Sequence, residues 1–140
     1  MSNLPSNFEE AIKNAKRLSN KILIDGKLIS PSTDNKIKVI NPSSGEYIGE
    51  APQCDKNDVD QAVKSSLNAF NKWKKIPARE RGRLVELGAR SLEKRKGEIE
   101  TLLSLDTGNA LRTQAKPETA ASIELTRMFA GLSGEIKVEN

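Results

Sequence analysis

Cys54 is the only thiol in the 140-residue sequence, and the chain contains no histidine. A nucleophilic cysteine needs a neighbouring base or an electropositive pocket to form thiolate. Cys54 instead lies among Gln53, Asp55 and Asp58, a setting that disfavours the anion, so it reads as an ordinary surface thiol. Without histidine the chain lacks the usual general base near neutral pH and cannot build a Cys/His zinc site. A single cysteine also excludes an internal disulfide. The carboxylates Glu9 and Glu10, and Glu98 and Glu100, fall within helical patterns, where solvated acids are ordinary. The glycines make no phosphate cradle: Gly45 and Gly49 belong to a hairpin and Gly131 and Gly134 to a helix end, so the order strand, glycine loop, helix is not met. No catalytic or cofactor-binding residue is expected, and function has to be sought in what the chain is part of.

The elements that would position such residues are better defined. Val39-Ile40-Asn41-Pro42-Ser43-Ser44-Gly45-Glu46-Tyr47-Ile48-Gly49 reads as two β-prone runs joined by a turn-forming centre. Upstream, Ile22-Leu23-Ile24 and Lys27-Leu28-Ile29 flank Asp25-Gly26, a pair that takes the positive φ angles of a type I′ turn. A short amphipathic helix from about Asn7 to Leu18 precedes both. Downstream the pattern is helical. Asp55 suits an N-cap for a stripe of Val59, Ala62, Val63, Leu67, Phe70 and Trp73. Pro77 opens a second stripe through Leu84, Leu87, Leu92, Ile99 and Leu102, weakened near Gly97 by about 1 kcal/mol relative to alanine, which predicts a kink or two helices there. Gly108 suits a left-handed cap, and Pro117 opens a last helix through Leu125, Met128 and Leu132. The fold class expected is α+β: two N-terminal β-hairpins, the second offering apolar surface to the layer of α-helices that follows.

Composition agrees with one folded unit. Hydrophobic residues make up 36% and charged residues 30%, which fits an α-rich domain rather than a disordered or membrane-spanning chain. No apolar run is long enough to cross a membrane and no leader pattern opens the sequence, so the compartment expected is cytoplasmic. The net charge of +4 is concentrated between Lys74 and Lys96. Nucleic-acid binding would call for interleaved aromatics or a known motif there, and neither is present; a solvated helix face with an i,i+4 pair at Glu86 and Arg90 accounts for the charges.

Taken in order, these segments resemble the N-terminal part of the NAD(P)-dependent aldehyde dehydrogenases. The resemblance is carried by Ile24-Asp25-Gly26-Lys27, by the Asn41-Pro42-Ser43-Ser44-Gly45-Glu46 turn, by Asp58-Val59-Asp60-Gln61-Ala62-Val63, by Ala69-Phe70 with Trp73, by Arg79-Glu80-Arg81, by Leu105-Asp106-Thr107-Gly108 and by Ala130-Gly131-Leu132. It covers residues 22–140 and leaves 1–21 as an N-terminal extension. The resemblance implies an incomplete coenzyme-binding domain beside a Rossmann-type sheet. In that family a catalytic cysteine attacks the aldehyde, hydride passes to the nicotinamide, and water releases the acid; the cysteine, the glutamate base and the oxyanion-steadying asparagine all fall outside the matched region. NAD or NADP is implied for the complete enzyme and none for this chain alone. Some members hold a sodium or potassium (Na or K) ion, and the matching positions are Val39, Ile40 and Asp106. The partner expected is the remainder of a dehydrogenase, or a second copy through exposed apolar surface built from Leu67, Phe70, Leu84, Leu92, Leu125 and Met128. The alternative is a free-standing, non-catalytic interaction module using the same face.

Overall fold

The computed structural model describes residues 6–17 and 19–135. The chain begins with α1 (Ser6–Lys16), ending short of the expected Leu18, which lies outside the described residues. The first hairpin pairs β1 (Ile22–Ile24) with β2 (Lys27–Ile29) antiparallel, Ile22 opposite Ile29. Its two-residue turn has Asp25 at φ 54° and Gly26 at φ 71°, the doubly left-handed geometry that matches the twist of the flanking strands.

The second hairpin pairs β3 (Lys36–Ile40) with β4 (Tyr47–Pro52). Asn41 fixes its turn and is itself buried: its Oδ1 accepts from Ser43 N at 2.9 Å, its carbonyl from Gly45 N at 2.8 Å, and its N–H donates to Glu46 O at 2.9 Å. A register shift falls between Val39 and Ile40, a bulge that bends the strand next to the turn. The hairpins are separate two-stranded sheets.

Four longer helices follow: α2 (Lys56–Trp73), α3 (Ala78–Lys94), α4 (Lys96–Thr107) and α5 (Lys116–Leu132). Asp55 caps α2 as its sequence suggests, accepting from Asn57 N and Asp58 N. The long apolar pattern does divide into two helices, at Arg95, whose φ of −108° and ψ of 13° leave the helical range. Gly108 ends α4 at φ 75°. A π-helical turn at Leu111–Ala115 had no counterpart in the sequence reading. Its cause is Pro117, which has no N–H to donate and whose ring crowds the preceding turn; Ala115 N and Lys116 N instead reach back five residues, to Ala110 O and Leu111 O.

The core differs from the expected packing of helices on the second hairpin. Helices pack mainly on helices, α3 on α5 and α1 on α4, and β4 contacts α1. The buried apolar residues are Ala11, Ala89, Leu105, Ala115, Ile123 and Ala130. Small side chains at these crossings let the backbones approach closely, and most of the large apolar residues are left pointing outward. Arg127 of α5 ties the α3–α5 pair from the rim, meeting Glu93 and lying 4.0 Å from Glu86.

Candidate functional site

Asp106 sits in the last turn of α4, and the helix end holds it against the second hairpin. Ser104 Oγ donates to Asn109 O at 2.7 Å, Thr107 Oγ1 to Leu103 O at 2.7 Å, and Ser43 Oγ of the hairpin turn to Gly108 O at 3.3 Å. This docking brings Asp106 and Val39 to one cavity of 170 Å³, shared with Gly49 and Glu50 of β4 and backed by Ile12 of α1 and Leu102 of α4. Ile40, on the far side of the bulge and 44% exposed, is not part of that lining. Of the residues matched to the family's ion site, the structure therefore gathers Val39 and Asp106 and leaves Ile40 at the rim.

Glu50 is the lining residue the sequence reading missed. Strand alternation puts Glu50 on the same face of β4 as Ile48 and Pro52, and it lines the cavity with Ile48. Lys36 pairs with it across the hairpin at 3.1 Å. The hydrogen bond from Lys36 holds the Glu50 carboxyl below its ordinary range, against the opposing effect of desolvation. Among the described residues no group of three or more Cys, Asp or Glu side chains converges as a metal cluster.

Elsewhere the acids serve structure. Asp58, 3% exposed, accepts from Ser32 N at 2.9 Å, Ser32 Oγ at 3.1 Å and Asp55 N at 3.3 Å, completing a reciprocal capping box with Asp55. Both carboxylates beside the exposed Cys54 are thus committed to holding the start of α2. Glu98 is paired with Arg95 at 2.9 Å, and buried Glu100 lies 4.0 Å from Lys96. Glu9 and Glu10 are exposed on α1.

Many large apolar side chains lie on the surface. Leu67, Phe70, Leu84, Leu92, Leu125 and Met128 are all exposed, at 60, 54, 36, 41, 50 and 49%, and Val63 and Phe129 join them. The accessible surface totals 10306 Å², whereas a compact monomer of 15.4 kDa exposes about 7,200 Å². Among the described residues no helix is long and apolar enough to cross a membrane.

The described residues form two small hairpins leading into a layer of helices with large apolar side chains left exposed. The aldehyde dehydrogenase family model matches residues 29–140, and the chain belongs to that family, whose members are NAD(P)-dependent oxidoreductases. It is 37% identical over 103 residues to aldehyde dehydrogenase (NAD(P)+) 2 of Saccharomyces cerevisiae, covering 72% of this chain and 20% of that protein. It is 32% identical over 127 residues to human cytosolic 10-formyltetrahydrofolate dehydrogenase, covering 89% of this chain and 14% of that one. The betaine aldehyde dehydrogenase of Staphylococcus aureus, solved with NAD+, superposes with a TM-score of 0.82 at 26% identity over 91% of this chain and 26% of that one. HpcC of Thermus thermophilus shares the fold with a TM-score of 0.87 at 24% identity, over 95% of this chain and 26% of its own. The chain therefore spans about a fifth or less of the length of these curated relatives and about a quarter of the solved ones.

Proposed function

We propose that this chain supplies part of the coenzyme-binding domain of an NAD(P)-dependent aldehyde dehydrogenase, an enzyme oxidising an aldehyde to a carboxylic acid. The rest of such a protein brings the thiol nucleophile, the base and the nucleotide-binding loop. The observation that carries this reading is the pairing of a family match over residues 29–140 with an open apolar face on α3 and α5, where Leu84, Leu125, Met128 and Phe129 lie exposed. Burying such a face against the remainder of the domain is the ordinary fate of a large exposed apolar patch. In the same reading the Asp106 carboxylate and the main-chain carbonyls of Val39 and Ile40 hold a sodium or potassium ion, with a further oxygen from the rest of the protein. The cavity that Asp106 and Val39 line supports this donor set.

The test is complementation. The chain is co-expressed with the remainder of an aldehyde dehydrogenase relative lacking the corresponding segment. Co-purification and aldehyde-dependent reduction of NAD or NADP are expected from the pair, with no turnover from the 140-residue chain alone, before or after Cys54→Ser. Turnover by the free chain that disappears in Cys54→Ser, or a remainder that is never bound, would refute the reading.

A further inference from the structure

We draw no further inference here: the strongest candidate, the polar cleft between α1 and α4 around the buried carboxylate of Glu100, has its α4 acids Glu98 and Glu100 already beside Arg95 and Lys96, and nothing in the structure shows what covers it.

Discussion

Gly82 of α3 crosses α5 at Ala130 so closely that a Cβ on Gly82 would overlap the Ala130 carbonyl oxygen and the Ser133 hydroxyl. The Ala130 oxygen belongs to backbone and cannot swing aside. Gly82→Ala should therefore separate the helices despite the higher helix propensity of alanine, which is worth about 1 kcal/mol. A net loss of about 1–3 kcal/mol is expected from overpacking, read as a lower urea midpoint. Gly88→Ala on the same helix, with nothing within 4 Å of its Cβ position, should be neutral or stabilising.

Asp58 ties the loop between the hairpins to the start of α2. Asp58→Ala removes the acceptor for Ser32 and for the Asp55 N–H, and a loss of about 1–2 kcal/mol is expected. Ser32→Ala, which keeps the backbone N–H bond, should cost clearly less. Equal losses in urea titrations would show that the Ser32 hydroxyl, rather than the capping box, provides the tie.

Local chemistry was legible wherever a few adjacent residues decide the outcome. Asp25-Gly26, Asn41-Pro42, the Asp55 cap and Gly108 all specify their own backbone, and each stands where the sequence placed it. Packing was less legible, because it depends on which of two faces meets a neighbour. The α2 stripe invited burial, yet the alanines and serines beside it meet the hairpin. Asp58 was read as an acid near Cys54 and as the head of the Asp58–Val63 segment but not as a helix cap, although its spacing from Asp55 fits a capping box. For the ion site, the family resemblance indicated Val39, Ile40 and Asp106, while the place of Glu50 beside Val39 and Asp106 became visible only when the hairpin closed across the cavity.

The Lys36–Glu50 pair gives the second hairpin an acid-sensitive link. Glu50 has a folded-state pKa below its ordinary value of 4.5. A depressed carboxylate contributes stability that is fully present above the unfolded-state value and is lost as pH falls through the folded one. Unfolding midpoints should therefore fall as pH drops below about 4.5. Glu50→Gln should lower the midpoint on the neutral-to-alkaline side, where the ionised pair contributes, and flatten the acid limb. An identical acid limb in Glu50→Gln would assign the effect to other carboxylates.

If Asp106 takes part in holding a small cation, thermal unfolding in sodium or potassium chloride should occur at a higher temperature than in tetramethylammonium chloride of equal ionic strength. At a cation concentration ten times its Kd the stabilisation would be about 1.4 kcal/mol. Asp106→Asn should abolish the difference between salts. A wild-type chain indifferent to the cation would remove the ion from the properties of the free chain.

The open face of α3 and α5 yields the broadest prediction. Leaving a few hundred Å² of apolar surface uncovered forgoes about 5–10 kcal/mol, comparable with the stability of a whole domain. The free chain should therefore bind a hydrophobic dye such as ANS, and capture of the dehydrogenase remainder should suppress that binding. Leu125→Gln, Met128→Gln and Phe129→Gln alter side chains that are 50, 49 and 63% exposed. Each should change the stability of the free chain by no more than about 0.5 kcal/mol, yet together they should remove most of the dye signal and weaken capture of the remainder. If the three substitutions instead unfold the chain, these residues are holding its own core together, and the face is closed in solution.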